Sequence, residues 1–243
     1  MKRILWAAIA ATLVVSVGAC SSSKKSTKKT TKKTTAAATS PATTATATGA
    51  SPSETSSSGA VPTEAQLQAA LLTAADLTGF TDGKYTKTDK SGPCAPAGSP
   101  SFRQQTSPLD DAGAKLDSAT PQAALTEVVF VYADSATAQK AFSTGKAAVD
   151  CTTGTVYYSD GTKASVTISP PSDVTSSVAA DTAVGWQLKN ADVQGTQILS
   201  LVGQAIIALS FSTGAGTDVS GLPDVLLVAK TAVGKLKTAS GGH

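Results

Sequence analysis

The sequence predicts an α+β protein: an antiparallel β-sheet of about five to six strands flanked by helices, in a single domain behind a disordered tether. Three observations lead there. Between residues 124 and 212, short runs rich in β-branched and aromatic residues recur, and several are joined by tight turns, which makes neighbouring strands antiparallel. Segments with helical spacing precede, interrupt and follow those strands. Residues 21 to 60 differ in composition and offer nothing to a core.

The chain opens with a cationic Met1-Lys2-Arg3, followed by the uncharged run from Ile4 to Ala19. Sixteen residues make a helix of roughly 24 Å. A membrane span needs roughly 20 residues, so 1–19 reads as a signal peptide. Small residues, Gly18 and Ala19, precede Cys20. Val17-Gly18-Ala19-Cys20 resembles the lipobox of bacterial lipoproteins. That resemblance implies a lipidated Cys20 as the first mature residue, anchoring the protein to the extracytoplasmic face of the cell membrane. Cys20 is then an anchor rather than a ligand or nucleophile.

Residues 20–60 form the tether. From Ser21 to Ala60 the chain is almost entirely Ser, Thr, Ala and Lys, without an aromatic or large aliphatic side chain. Nothing there offsets the entropy of ordering. Forty flexible residues span roughly 35 Å on average. Lys-Lys pairs at 24–25, 28–29 and 32–33 recur every four residues. They suit either contact with an anionic bilayer, at about 1 kcal/mol per lysine, or a self-repelling spacer. The threonines around Pro41 and Pro52 match the composition of O-glycosylated stalks.

Charge follows the same division. The whole chain is +3, but residues 61–243 hold 12 Lys plus Arg against 16 Asp plus Glu, a net −4. With no basic stripe and an exported chain, nucleic acid is excluded as a partner.

The folded part is expected over 61–238, with 239–243 a frayed tail. Thr63 and Gln66 have capping-box spacing, and Leu67, Ala70, Leu71, Ala74 and Leu77 keep helical period up to Gly79. An irregular stretch follows over 81–121, with a turn at Asp82-Gly83. "ALTEVVFVY" (124–132) reads as an interior strand. Ser135 opens a helix with Ala138, Phe142, Gly145 and Val149 on one face. "TVYYSDGTKASVTIS" reads as a hairpin about Asp160-Gly161, and "AVGWQLK" alternates through Val184, Trp186 and Leu188. "TQILSLVGQAIIALSFS" gives two strands about Gly203-Gln204. A last helix runs from about Leu222 to Lys237. The strands from Lys163 to Ser212 are expected to bury one face under the helices and to leave Ser165, Thr167 and Gln187 on the other.

"VVFVYADSATAQKAFSTGKAAVDC", "VGWQLK", "AIIALSFSTG" and the final amphipathic helix, with the opening "LLTAADLTGF", resemble the PknH-like extracellular sensor domain of actinobacteria. Members are outer domains of membrane kinases or free-standing lipoproteins. The resemblance implies a helix-flanked antiparallel sheet around a cleft for an unidentified ligand. It also implies a second disulfide between the Trp-motif strand and the later strand. Here Leu188 stands where a cysteine is expected, and Ser212-Thr213 end the later strand.

Candidate chemistry is sparse. The only histidine is His243, so no Ser-His-Asp or Cys-His set assembles in the core. Two cysteines and no internal histidine do not make a usual zinc site, so neither metal nor cofactor is expected. Asp110-Asp111 lacks EF-hand spacing and reads as a solvated loop. Gly214, Gly216 and Gly221 read as loop glycines. Ser143-Thr-Gly-Lys146 matches S-x-x-K, and Lys230-Thr231-Ala232 echoes K-T-G, the pair of penicillin-recognising enzymes. Yet no S-D-N element accompanies them, and Ser143 falls late in its helix. No catalytic residue is assigned. Trp186 shares a strand face with Val184 and Leu188, which places it in the core; a place in a cleft is the other reading.

With Cys20 lipidated, Cys94 and Cys151 are the two remaining thiols, in a compartment where disulfides persist. They are expected to pair. The function expected is sensing or binding of a ligand at the cell envelope, without catalysis. The ligand would be a small molecule or an envelope component, at a site whose residues stay unknown. The alternative is an envelope scaffold module with a protein partner. The site is expected in a groove between sheet and helices, with the 81–121 stretch, tied at Cys94, as one wall.

Overall fold

The computed structural model describes residues 61–87, 89, 91–157 and 162–241. The leader, Cys20, the tether, the Asp160-Gly161 hairpin tip and His243 lie outside these residues.

Thr63 caps the first helix, α1 (Glu64–Ala70), with a reciprocal box: Gln66 N–H donates to Thr63 Oγ1, and Thr63 N–H to Gln66 Oε1 at 2.8 Å. The helix ends seven residues before the expected Leu77. A continued helix would give the Leu72 N–H to Gln68. Instead it donates to the buried Glu127 carboxylate at 2.7 Å, and a 3-10 turn (Ala74–Asp76) follows.

The 81–121 stretch is more ordered than its sequence suggests. Thr81–Gly83 is a strand, β1, where a turn was expected at Asp82-Gly83. A short helix, α2 (Phe102–Thr106), is followed by a ten-residue strand, β2 (Asp110–Ala119). β2 pairs along its whole length with β3 (Gln122–Val131), through a two-residue turn at Thr120-Pro121 whose peptide bond is cis. β2 escaped the sequence reading because only Ala112, Leu116 and Ser118 of its ten residues are buried. No alternating apolar signal can arise from so few.

The next helix, α3 (Ser135–Ala147), is capped by Asp134 rather than Ser135: the Asp134 carboxylate accepts the Thr137 N–H at 2.7 Å. β4 (Thr153–Tyr157) and β5 (Lys163–Ile168) pair antiparallel, as the hairpin reading required. A two-residue strand, β6 (Ser172–Asp173), and a single turn, α4 (Thr175–Val178), lead to β7 (Thr182–Lys189). β8 (Val193–Val202) and β9 (Ala205–Gly214) form a hairpin about Gly203-Gln204. The last helix, α5 (Val225–Ala239), is capped by Asp224 and continues two residues past Lys237, into the expected tail.

Among the described residues the sheet has nine strands, in the order β1-β2-β3-β9-β8-β7-β5-β4, with β6 also on β7 and every pair antiparallel. The expected five to six is corrected upward, chiefly by β1, β2 and β6. α+β is the class observed.

Both faces of the central sheet are covered, which corrects the one-sided expectation. On one face α1, the turn after it and α5 pack Leu67, Leu72, Val233 and Leu236 against Leu125, Val129, Ile207 and Leu209. On the other, α3 packs Ala138, Ala141 and Phe142 with Phe130, Leu199 and Ile206. β3, β8 and β9 carry contiguous apolar runs, so each buries both faces, as interior strands do. Only beyond the helices does the expected alternation survive: Ser165, Thr167 and Gln187 are exposed, while Val166, Ile168 and Leu188 are buried.

Candidate functional site

A cavity of about 90 Å³ lies between the sheet and α3, closed on one side by the segment around α2. Its floor follows from strand register. Trp186 of β7 stands opposite Gln197 of β8, Gln197 opposite Ser210 of β9, and Ser210 opposite Thr126 of β3. Four polar-tipped side chains therefore form one rung across the floor. In the next rung Leu199, Ala208 and Val128 are apolar. Gly145, Ala148 and Val149, at the end of α3, line the roof.

The rung is polar although it is buried. Gln197, Thr126 and Trp186 are each only 6% exposed. Gln197 Nε2 donates to Ser210 Oγ at 2.6 Å, while Trp186 Nε1 has no hydrogen-bond partner among the described residues. A buried N–H without a partner costs roughly 1–3 kcal/mol. Trp186 therefore does both things the sequence allowed: it packs with Val184 and Leu188, and it lines the cavity.

The wall comes from described residues between 85 and 105, within the stretch that the sequence placed as one side of the groove. It is fastened at four places. Cys94 is disulfide-bonded to Cys151, with Cα atoms 5.8 Å apart. Thr155 N–H of β4 donates to the Pro93 carbonyl at 2.9 Å, an approach possible because Gly154 has no Cβ to meet that oxygen. The Tyr85 ring lies over Gly113 of β2, where any Cβ would clash with three ring carbons. Arg103 grips Asp111 with both terminal nitrogens, Nη2 donating to Oδ2 at 2.6 Å.

Charge at this wall is internally matched. Arg103 Nε sits 3.4 Å from Asp89, in ion-pair range without hydrogen-bond alignment, and its guanidinium lies 5.6 Å from the centre of the Phe130 ring. Lys87 Nζ meets Asp111 Oδ1 at 2.7 Å. Asp110-Asp111 is thus part of a strand, and Asp111, with its side chain 4% exposed, is held by two cations instead of standing in a solvated loop. Burial pushes the Tyr85 phenol up, and raises that of Tyr132 to about 12; the Tyr132 hydroxyl lies 2.9 Å from Thr106 Oγ1.

Other candidates fall apart spatially. Ser143 is exposed and its hydroxyl donates to the Gln139 carbonyl at 3.0 Å. Lys230 and Thr231 belong to α5, on the opposite face of the sheet, so the S-x-x-K and K-T-G echoes never meet. Leu188 and Ser212 flank Gly195 in one rung, two strand spacings apart. That is roughly 10 Å, beyond the reach of the second disulfide the resemblance implied. A wider, more open hollow of about 440 Å³ lies between β7–β9 and the 219–225 loop. It holds less enclosed surface than the cavity, which is therefore the better candidate.

These features define an antiparallel α+β domain with a cavity under one helix. The solved structures similar to it include the extracellular domain of PknH from Mycobacterium tuberculosis, at 15% identity and a TM-score of 0.52, over 73% of this chain and 98% of that one. The likeness establishes a PknH-extracellular-domain-like fold. No family model and no curated protein matches the sequence. No helix among the described residues is long and apolar enough to cross a membrane.

Proposed function

We propose that this chain is an extracytoplasmic lipoprotein of the PknH-like sensor type, anchored through Cys20, whose folded domain binds a ligand without transforming it. The cavity between the polar rung and α3 is the observation that carries the reading. Ligand sites are enclosed, largely apolar and furnished with a few convergent polar groups, and this cavity has each property. The fold shared with an extracellular domain supports placement outside the membrane. The exposed, internally bonded Ser143 supports the absence of catalysis. Native mass spectrometry of the protein purified from its own envelope tests the proposal, with a stoichiometric extra mass expected. Its absence, together with no thermal shift across envelope extracts, favours the alternative of a scaffold module with a protein partner.

A further inference from the structure

We infer that the cavity accepts a small neutral group, a single ring or short branched chain bearing one hydroxyl or carbonyl, and rejects charged ligands. This rests on the binding reading above and names its ligand class.

Size sets the first limit. A cavity of about 90 Å³ is smaller than the roughly 150 Å³ apolar cavity that holds a benzene ring, and well below the roughly 300 Å³ where drug-sized sites begin. It takes a short branched chain whole, or one edge of a single ring whose remainder reaches past the wall.

Charge sets the second. The charged side chains that line the cavity among the described residues are Arg103 and Asp89. Arg103 is held by Asp111 through both terminal nitrogens, its Nε, which makes no hydrogen bond, faces Asp89 at 3.4 Å, and Asp111 also holds Lys87, so the charges balance. A carboxylate or ammonium entering would lose its hydration and find no unmatched opposite charge.

Hydrogen bonding sets the third. The floor is not a purely apolar surface. Trp186 Nε1 is a donor without a partner among the described residues, and the Gln197 amide bonds Ser210 through its nitrogen, which leaves its oxygen able to accept. Both stand in the rung crossing the floor. A hydroxyl can meet the Gln197 oxygen, and a hydroxyl or carbonyl reaches the buried Trp186 N–H once the indole turns to present it; a pure hydrocarbon satisfies neither.

The test is titration of the full-length, 15N-labelled protein with phenol, benzene, benzoate and benzylammonium, following the Trp186 indole N–H resonance assigned with Trp186→Phe. Phenol is expected to shift that resonance and to bind about tenfold more tightly than benzene. Gln197→Leu should erase that preference. Ala208→Leu, which fills the floor, should weaken phenol by at least about tenfold; Ala148→Leu at the end of α3 does the same from the roof if the first variant fails to fold. Benzoate or benzylammonium binding as tightly as phenol at this resonance overturns the ligand class while leaving the binding reading intact. No probe shifting the resonance, or phenol binding untouched in both filled variants, overturns the class and the cavity as the site together.

Discussion

Glu127 is the residue least expected from its surroundings. It sits on β3 among Leu125 and Val129, fully buried, facing α1 and α5 on the side of the sheet away from the cavity. One carboxylate oxygen accepts the Leu72 N–H and the other has no partner among the described residues. Asp76, from the 3-10 turn, and Lys235, from α5, are the charges that act on it, and they pair with each other at 2.6 Å. Burial dominates and pushes its pKa from 4.5 to about 7. The native state therefore holds a proton that the unfolded chain releases near pH 4.5. Stability should fall as pH rises from about 4.5 to about 7, by roughly 3 kcal/mol, and level off above. Glu127→Gln keeps the acceptor for Leu72 and removes the titration. Thermal melts of the variant should be flatter across that window and higher than wild type at about pH 8; parallel curves would show that Glu127 does not titrate there.

A second residue-scale outcome concerns Gly113. Alanine there places a methyl group where the Tyr85 ring lies. Tyr85 must swing away, opening one edge of the cavity wall. Quenching of tyrosine fluorescence by acrylamide should increase in Gly113→Ala, with a loss of stability of roughly 1–3 kcal/mol. An unchanged quenching profile would mean that the ring's place on β2 is not maintained in solution.

Among the elements, the wall segment depends most on its fastenings. It has few apolar residues of its own, and the disulfide closes a loop with a sequence separation of 57 around it. On the chain-entropy estimate that closure contributes about 4 kcal/mol. The double variant Cys94→Ser with Cys151→Ser should lower the urea midpoint accordingly, and wild type should show no free thiol among these two cysteines when denatured without reductant. An unchanged midpoint would assign the wall's order to the Arg103–Asp111 and Pro93–Thr155 contacts alone. β2 belongs to the same economy of contacts: its weak apolar pattern is compensated by ten paired residues with β3, and its cavity-side Asp111 is the post on which Arg103 hangs.

For the whole molecule, the proposal of a lipid anchor makes a separate prediction. The exported protein should partition into the detergent phase, and Cys20→Ala should move it to the aqueous phase without changing its melting temperature. Equal partitioning of the two, with Met1 retained in the mature protein, would remove the anchor from the account. The folded domain's own sequence carries a net negative charge, so membrane contact is expected to come through the anchor and the lysine pairs near it.

The sequence by itself determined what depends on near neighbours. Thr63 and Gln66 spell out a helix start, Gly203-Gln204 a hairpin, and the spacing of Ala138, Phe142, Gly145 and Val149 the buried face of α3, because each signal lies within a turn or two of chain. The α+β class, the antiparallel pairing and the partnership of Cys94 with Cys151 were legible for the same reason or by elimination. Tertiary structure alone decided the rest. β2 is a strand because β3 offers it a complete edge, and α1 stops because Glu127, 55 residues away, takes the N–H of Leu72. Trp186, Gln197, Ser210 and Thr126 share a rung only through the pairing of four strands, β3 among them joined to β9 across more than 70 residues of chain. Lateral neighbours in a sheet leave no periodic mark on any one strand, so the floor of the cavity becomes visible only when long-range register brings its residues into line.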